Sequence, residues 1–275
     1  MERGFTSILV PVFNNLHCVE LLHRTLDRQT PGHLWELILI DNGSTEPGVE
    51  DCYARLEADA RVSVIRNDTN RGFGRANNQG LAQARGEFIG LINSDMFFVQ
   101  PWLEAMLERL VADPQCGAVQ GRILLAQENT PLSDWTTQTC GACFDRNGLP
   151  QYHLADHPSA APEVNQAFLL QAFMGTGVLL RRSVIEAVGF FDEGYDIVFM
   201  EDTDLSLRIS QAGHRILYEP RALFIHLHSA SMPHLSQEDY DRSRKFNLER
   251  FRGKWPLERV RAIVEGQGFG WEGGE

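Results

Sequence analysis

Two acidic stretches of this chain carry residue types that could bind a metal ion and remove a proton. The first, Asn93-Ser-Asp95, ends an apolar run, and the second, Glu201-Asp202, lies much further along the chain. A hydrophobic strand that ends in Asn-x-Asp brings oxygen ligands to the edge of a sheet, where a hard cation can hold a diphosphate. Asp95 is therefore a candidate metal ligand, although an aspartate at a strand end is also a common turn residue.

The second stretch opens a predicted helix. Asp202 shares the spacing i, i+3, i+7 with Leu205 and Ile209, which places it on the face that packs inward. Asp204 can instead pair with Arg208 at i+4 on another face. A carboxylate held against the protein body is where we expect a general base, because burial can adjust its pKa. Acidic residues in a first turn also stabilise a helix by less than about 1 kcal/mol each, so a structural role stays open.

Two histidines, His226 and His228, end the strand-like segment that begins at residue 222. Alternation puts both on one face of a strand, where a histidine is usually a half-exposed polar residue. Near a metal, His226 could instead supply a nitrogen ligand, which would favour Mn²⁺ over Mg²⁺.

Residues 1–100 must build the sheet that positions these groups. Short apolar runs alternate there with helical patterns, which is typical of a parallel sheet wrapped by helices. The predicted strands cover residues 7–13, 37–40, 62–65 and 88–92. Asn14, Asp41 and Asp95 follow three of these strands, and the carboxyl ends of parallel strands share one edge of a sheet. We therefore expect these three polar residues to lie on one rim.

Turn and cap residues delimit the other elements. Asn14 and Asn15 are predicted to cap the helix after the first strand, and Ser183 to cap a short helix that ends at Gly189. Strands are predicted over residues 116–125 and 141–152, and Asn147-Gly148 within the second of these predicts a hairpin turn.

The composition restricts the classes of partner. The chain has 275 residues, 43% of them hydrophobic, and a formal net charge of -12, which argues against a nonspecific nucleic-acid surface. No apolar stretch reaches the length of about 18 residues that spans a bilayer, so we expect a cytoplasmic protein. Residues 240–263 are basic, which is typical of a solvated helix or of an electrostatic contact with a membrane surface or a phosphate-bearing acceptor.

The patterns of other cofactor sites are incomplete. Gly72-Phe-Gly74 begins like a dinucleotide fingerprint, but Asn77 replaces its third glycine and the motif follows the third strand rather than the first. Among five scattered cysteines, Cys140 and Cys143 have redox or zinc spacing, but without a second pair they fit better as small hydrophobic residues of a hairpin.

In their order along the chain, the motifs resemble those of family 2 glycosyltransferases with the GT-A fold, in particular the rhamnosyltransferase-like members that build bacterial surface polysaccharides. The resemblance runs from Ile8 to about Ser231 and rests on the segments Val10–Asn14, Leu39–Thr45, Asn70–Gly80, Asn93–Asp95, Gly175–Gly177, Phe190–Asp192 and Glu201-Asp202, and on His226. Each motif alone is weak, whereas the ordered set is specific.

The resemblance implies an α/β architecture in which a Rossmann-like nucleotide-binding half is fused to an acceptor-binding half, with helices on both faces of a mostly parallel central sheet. We predict one GT-A domain over residues 1–265. Its nucleotide-sugar half would cover about 1–100, its acceptor half about 115–230, and a basic helical segment 237–265. Residues 266–275 would form a flexible tail.

The resemblance also implies a role for each site residue. Asp202 would be the catalytic base with Glu201 beside it, and Asp95 and His226 would hold Mg²⁺ or Mn²⁺. The nucleotide sugar would be bound by Pro11, Phe13, Asn14, Asp41, Asn42, Arg71, Gly72, Asn78, Asn93 and Ser94. Asn93 departs from the family pattern, which has an aspartate there, so we expect a lower metal affinity.

The implied reaction is an inverting transfer of a sugar from a dTDP- or UDP-sugar to a glycan, lipid-linked or protein acceptor. The basic segment would allow peripheral contact with the inner membrane face. Two alternatives stay open here. A noncatalytic sugar-nucleotide binder would explain Asn93 but not the retained Asp202. A nucleotidyltransferase usually has a basic, glycine-rich loop after its first strand, and residues 13–16 are neither basic nor glycine-rich.

Overall fold

The computed structural model describes residues 2–127, 130–227 and 236–271. The strands are β1 (Glu2–Val12), β2 (Trp35–Asp41), β3 (Val62–Arg66), β4 (Gly86–Leu91), β5 (Met96–Phe98), β6 (Cys116–Leu125), β7 (Thr137–Thr139), β8 (Ala142–Phe144), β9 (Pro150–Tyr152), β10 (Phe168–Leu170), β11 (Val178–Arg181) and β12 (Arg215–His226). The helices are α1 (Leu16–Gln29), α2 (Val49–Leu56), α3 (Phe73–Gln83), α4 (Leu103–Ala112), α5 (Arg182–Val188), α6 (Glu201–Gln211), α7 (Gln237–Lys254) and α8 (Leu257–Gly266).

A single large sheet runs through the molecule in the order β10-β12-β6-β11-β4-β1-β2-β3, with β5 paired to β12 and β7 to β6. The strands β4, β1, β2 and β3 are mutually parallel, as are β6 and β12, whereas β11 is antiparallel to both of its neighbours. The small hairpin of β8 and β9 lies outside this sheet. The predicted α/β architecture with a central, mostly parallel sheet and flanking helices is confirmed.

Helices cover both faces of the sheet. Ile8 and Val10 of β1 belong to the apolar cluster that contains α1, α2 and α4, whereas Leu9 belongs to the cluster of α3, α5 and α6. A strand buried on both faces needs apolar residues at every position, which explains the continuous apolar run of β1.

The C-terminal helices form an additional layer outside α6. Leu207 of α6 packs with Phe251 and Trp255 at the end of α7 and with Val260 of α8. Beyond α8, the side chains of residues 269 and 271 also pack against this cluster. Residues 272–275 of the predicted flexible tail lie outside the described residues. Within the described ranges, no helix is both long enough and apolar enough to cross a membrane.

The predicted helix caps differ from the structure. Asn15 does occupy the N-cap position of α1, but the side-chain oxygen of Asn14 accepts a hydrogen bond from the backbone N–H of Thr45 instead. Ser183 does not cap α5, because β11 runs directly into that helix and Arg181 is at the N-cap position. The predicted Asn147-Gly148 turn is present, with Gly148 in the left-handed region at φ 73°.

Candidate functional site

The segments that follow β1, β2 and β4 meet at one edge of the sheet, because β1 lies between the other two strands and is parallel to both. A cavity of about 440 Å³ opens at this edge. The predicted site residues that line it are Pro11, Phe13, Asn42, Gly72, Asn93, Ser94, Asp95 and His226. Residues from both halves of the chain therefore share one cavity.

Strand pairing brings Asp95 and His226 together. Asp95 directly precedes β5, and Met96 of β5 lies opposite His226 in β12. The backbone N–H of Leu227 donates to the carbonyl oxygen of Asp95 at 3.0 Å, and the side-chain atoms Asp95 Oδ1 and His226 Nε2 are also 3.0 Å apart. The other ring nitrogen, Nδ1, lies 2.7 Å from Oε1 of Gln138 in β7. Both histidine nitrogens therefore face oxygen atoms.

This arrangement fits a divalent cation. A neutral imidazole has one N–H. If Nδ1 of His226 donates to Gln138, the lone pair of Nε2 faces a carboxylate oxygen, and two acceptors need a proton or a cation between them. Asp95 Oδ1 and His226 Nε2, 3.0 Å apart, are close enough to bind the same cation, and this separation is also that of an ordinary hydrogen bond.

The cavity lining explains why a cation would be needed for an anionic ligand. No lysine or arginine is present among the described lining residues, and Asp95 is itself negative. No group of three or more His, Cys, Asp or Glu side chains that could hold a metal was found over residues 2–127, 130–227 and 236–271. A cation held by Asp95 and His226 would thus take its other ligands from elsewhere, such as a diphosphate and water.

Asp202 lies in the first turn of α6 and is half-buried. Its Oδ2 accepts a hydrogen bond from the backbone N–H of Gly175 at 2.8 Å, and its Oδ1 accepts one from Thr203 at 2.6 Å. Burial raises the pKa of Asp202 above its ordinary value of 3.8, although these hydrogen bonds favour the ionised form. A raised pKa makes this carboxylate a stronger base than an exposed aspartate.

Consecutive loop residues connect the two acidic stretches. Gly175 binds the carboxylate of Asp202, and the hydroxyl Oγ1 of Thr176 accepts a hydrogen bond from the backbone N–H of Asn93 at 2.8 Å. The Cα atoms of consecutive residues lie only about 3.8 Å apart. The Asn93–Asp95 segment and Asp202 are therefore held on one loop beside the same cavity.

Tyr152 provides a second link between Asp202 and the cavity. Tyr152 lines the cavity, and burial together with the charge of Asp202 raises the pKa of its hydroxyl. The Asp202 carboxylate therefore acts electrostatically on a group at the cavity wall.

Glu201 precedes Asp202 and, like Asp202, is not among the residues that line the cavity. It is only 6% exposed, and burial, followed by the charge of Asp202, raises the pKa of Glu201 well above 4.5. Among the described residues, its Oε2 has no hydrogen-bond partner. These features favour a protonated Glu201 beside an ionised Asp202.

Two of the residues predicted to bind the nucleotide do not line the cavity: Asp41 at the end of β2 and Asn14 in the loop after β1. The carboxylate of Asp41 is fully buried, accepts a hydrogen bond from the backbone N–H of Ser44 at 2.9 Å and pairs with Arg66 at 2.8 Å. The backbone N–H of Asn14 donates to Oγ of Ser44 at 2.7 Å. Asn14 thus joins the two loops, whereas Asp41 holds its own loop and pairs with β3, and neither residue lines the cavity wall.

Two further predicted residues, Asn78 and Arg71, also lie off the cavity wall. The side chain of Asn78 in α3 donates to the backbone oxygen of Phe191 at 3.0 Å and accepts from its N–H at 3.1 Å. Asn78 thereby fixes the Phe190-Phe-Asp192 loop against α3. Arg71 is exposed beside Gly72. His228 lies outside the described residues.

The rest of the lining was not predicted residue by residue, although Val12, Asn70, Phe73 and Thr176 lie in motif segments named from the sequence. It comprises Val12, Asn70, Phe73, Ile123, Gln138, Thr139, Tyr152, Met174, Thr176, Ile197, Val198, Phe199 and Tyr240. Gln138 lies in a three-residue strand within a polar stretch, where no periodicity reveals its position. Tyr240 could have been found, since it shares a helical face with Ser243 and Asn247 at i, i+3 and i+7.

Part of the predicted basic segment is paired within the protein. Asp192 pairs with Arg250 at 2.9 Å and with Lys254 at 2.8 Å. Lys254 also pairs at 2.7 Å with the fully buried Asp204, which pairs with Arg208 at 2.8 Å as its spacing predicted. These cations fix α7 to the loop before α6 and to α6 itself.

Comparisons with known proteins agree with this architecture. The model of the family "Glycosyl transferase family 2" matches residues 7–189. The O-antigen biosynthesis protein RfbC of Myxococcus xanthus is 29% identical over 233 residues, which are 82% of this chain and 17% of that protein. The pre-mycofactocin glycosyltransferase of Mycobacterium tuberculosis is 27% identical over 230 residues, which are 82% of this chain and 43% of that protein. The chain thus spans less than half the length of these curated relatives.

Two solved structures have the same fold. GalNAc-T7 with UDP, GalNAc and Mn²⁺ superimposes with a TM-score of 0.68 at 15% identity, over 97% of this chain and 55% of that one. The mannosyltransferase PcManGT from Pyrobaculum calidifontis in complex with GDP-Man and Mn²⁺ has a TM-score of 0.54 at 16% identity, over 96% of this chain and 74% of that one. At such low identity these likenesses establish the fold alone.

Proposed function

This chain belongs to glycosyl transferase family 2, and we propose that it transfers a sugar, with inversion, from a nucleoside-diphosphate sugar to an acceptor hydroxyl. The observation that carries the proposal is the loop in which Gly175 binds Asp202 and Thr176 binds Asn93. In this proposal, the loop holds a base beside the cavity and a diphosphate site within it, so that both act on the same donor.

In the proposed reaction, Asp202 accepts the proton of the acceptor hydroxyl while that oxygen attacks the anomeric carbon of the donor. The bond between the anomeric carbon and the diphosphate oxygen breaks, and the nucleoside diphosphate leaves with the electron pair. One carboxylate suffices, because a metal-bound diphosphate is a good leaving group, whereas a glycosidase needs a second carboxylate to protonate a poor one. The raised pKa of Asp202 supports its role as the proton acceptor.

We assign Asp95 and His226 to a divalent cation, either Mg²⁺ or Mn²⁺. When bound, such an ion would supply the positive charge that the leaving diphosphate needs. Their 3.0 Å separation supports this assignment, as does the lack of lysine and arginine among the described lining residues. Asn93 contributes no carboxylate, so the affinity for the ion would depend on the diphosphate.

The donor and acceptor are proposed from the relatives. The similar structures were solved with UDP and with GDP-Man, and one relative is named for O-antigen biosynthesis. We propose a UDP- or dTDP-linked hexose or rhamnose as donor, and a glycan or lipid-linked acceptor of surface polysaccharide synthesis. We further propose a cytoplasmic location, with the exposed Arg244, Lys245 and Arg252 of α7 available for contact with anionic lipid headgroups.

A thermal-shift panel of UDP-, GDP- and dTDP-sugars, with and without Mn²⁺, would identify the donor. A donor at a hundred times its dissociation constant should stabilise the fold by about 2.7 kcal/mol. Stabilisation by one donor that depends on Mn²⁺ is the expected result.

The substitution Asp202→Asn tests the proposed role of the base. It should reduce transfer by a factor of about 10² to 10⁴ and leave the dissociation constant of the donor nearly unchanged, because only proton transfer is lost. Calorimetry would measure donor binding, and release of nucleoside diphosphate would measure turnover. Asp51→Asn, at an exposed position of α2, is the matched control. Loss of donor binding with an intact rate would contradict the assignment.

A further inference from the structure

Residues 196–200 connect the Phe190-Phe-Asp192 loop to α6. Asp202 follows two residues later, in the first turn of that helix. Ile197, Val198 and Phe199 line the cavity. Phe199 and Met200 are both in the left-handed region, at φ 78° and 73°. Bulky residues rarely adopt this conformation, so their surroundings must hold it in place. The start of α6 therefore depends on whatever fixes this segment.

Asn247 of α7 is the main group that fixes it. This side chain is fully buried, and its Oδ1 accepts a hydrogen bond from the backbone N–H of Asp196 at 2.7 Å. Its Nδ2 donates to the carbonyl oxygens of Val198 at 2.6 Å and Phe199 at 3.1 Å, with a longer contact of 3.3 Å to Asp196. One amide thus binds the backbone of most of the segment, up to the residue before Met200.

Ser243, one turn earlier on α7, extends this contact. Its Oγ is 3.4 Å from the backbone N–H of Val198, and the residue is fully buried. Tyr240, Ser243 and Asn247 follow the spacing i, i+3, i+7, so one face of α7 supplies both a cavity wall and the polar contacts to the segment.

The donor side of the cavity holds the same segment from the opposite direction. The backbone N–H of Phe73 donates to the carbonyl oxygen of Ile197 at 3.1 Å. A Cβ atom added to Gly72 would lie only 2.9 Å from the Cα of Ile197, which shows how closely the two backbones approach. The segment is therefore fixed between the nucleotide-side motif and α7.

We propose that Asn247 is a positioning residue for sugar transfer, which fixes the start of α6 through the backbone of residues 196–199 and thereby directs the Asp202 carboxylate towards the acceptor. This inference rests on the proposed function. Position 247 lies beyond residues 7–189, the part of the chain that the family model matches, so family membership does not assign it a role. A merely structural asparagine would contribute to stability alone.

The test compares Asn247→Ala with Val260→Ala. Val260 is also fully buried in the C-terminal helical layer, so its truncation should lower Tm in a similar way. Turnover would be measured as the nucleoside diphosphate released when the sugar is transferred to acceptor or water from the donor that the thermal-shift panel identifies. Asn247→Ala should lower kcat by about tenfold or more with the donor KM within about threefold, and Val260→Ala should leave both within about threefold.

Two further measurements keep the test decisive if Asn247→Ala folds poorly. Ser243→Ala removes only the contact to the Val198 N–H and should give a smaller loss of kcat in the same direction. Amide hydrogen exchange should become faster at Asp196 and Val198 in these variants, and not in Val260→Ala.

The outcomes separate the two proposals. Faster exchange at Asp196 with an unchanged kcat, or a kcat loss no larger than that of Val260→Ala, would show a structural role and overturn the positioning role. A wild-type protein that binds a donor but releases no nucleoside diphosphate with any acceptor or water would overturn the proposed function, and this inference with it.

Discussion

At the Asp95 end of the site, the pairing of two strands sets the geometry, whereas at the Asp202 end, which lies beside the cavity, contacts between a loop, α6 and α7 set it. Asp95 is placed by the pairing of β5 with β12 and by the Leu227 N–H. Phe199 and Met200, shortly before Asp202, are in the left-handed region. The backbone N–H of Gly175 holds the Asp202 carboxylate, and Asn247 holds the backbone of residues 196–199. The proposed diphosphate site therefore depends on the sheet, whereas the proposed base depends on contacts between layers.

This difference predicts that substitutions at the two ends change different quantities, binding at one end and kcat at the other. A substitution at the Asp95 end should weaken binding of metal and donor, because it removes a ligand and leaves the sheet intact. A substitution at the Asp202 end should lower kcat with binding preserved.

Asp95→Asn should weaken Mn²⁺-dependent donor binding by about a hundredfold, because it removes the only carboxylate that lines the described cavity. Calorimetric titration with the donor at fixed Mn²⁺ measures the effect. Asp51→Asn serves as the control, since it changes the charge equally on the outer surface of α2. If donor binding by Asp95→Asn still depended on Mn²⁺ to the same extent, the metal would lie elsewhere, and the proposed difference between the two ends would be wrong.

Gln138→Leu should weaken Mn²⁺ affinity by about tenfold, because partners that orient a metal-bound histidine typically contribute 10- to 100-fold. The Oε1 of Gln138 lies 2.7 Å from Nδ1 of His226 and directs the other nitrogen towards Asp95. Mn²⁺ titration followed by electron paramagnetic resonance measures the free ion. Restored affinity in Gln138→Glu, which keeps the acceptor, would sharpen the assignment, and an unchanged affinity in Gln138→Leu would contradict it.

Glu201→Gln should change the pH dependence of stability, and this is the smallest of the effects. Burial raises the pKa of Glu201 above 4.5, so the folded state binds its proton more tightly than the unfolded chain. The stability that this proton contributes is complete below pH 4.5 and is lost as the pH rises through the raised pKa. Glutamine cannot ionise, so the variant should lack this decline.

Urea unfolding of wild type and Glu201→Gln between pH 5 and 9 would measure this change. Glu238→Gln, an exposed position in the first turn of α7, is the control and should follow the wild type. A wild type whose free energy of unfolding exceeds that of Glu201→Gln by more as the pH rises would contradict the buried, protonated state of Glu201.

The sequence predicts the Asp95 end well, because strand ends follow from periodicity. The apolar runs of β1, β2 and β4 and the polar residues after them are visible in the sequence. The carboxyl ends of parallel strands lie at the same edge of a sheet. The order of the motifs also indicated the family. His226 was predicted as a candidate metal ligand from its place near the end of a strand-like segment, and it lines the cavity, whereas its partner Gln138 lies in a strand too short to show a pattern.

The Asp202 end was less predictable, because its geometry depends on contacts between residues distant in sequence. Spacing predicted Asp202 on the inward face and Asp204 on another face, paired with Arg208. The pair with Arg208 is present, but Asp204 is fully buried and Asp202 only half-buried, because Lys254 and Trp255 of the C-terminal layer also bind Asp204. The basic residues of α7 predicted a solvated helix or an electrostatic contact surface, and this pattern gives no indication that Asn247 among them is buried. Asp41 fitted a nucleotide-binding motif, whereas the structure shows its carboxylate paired with Arg66.

In the proposed mechanism, one donor molecule lies between Asp95 in the cavity and Asp202 beside it. A crystal structure with Mn²⁺ and the donor bound to Asp202→Asn tests it most directly, with anomalous scattering to locate the ion. We predict Mn²⁺ bound by Asp95 and His226 and by the diphosphate, with the anomeric carbon facing residue 202 across the acceptor space. A diphosphate bound outside this cavity, or a sugar pointing away from residue 202, would contradict the account.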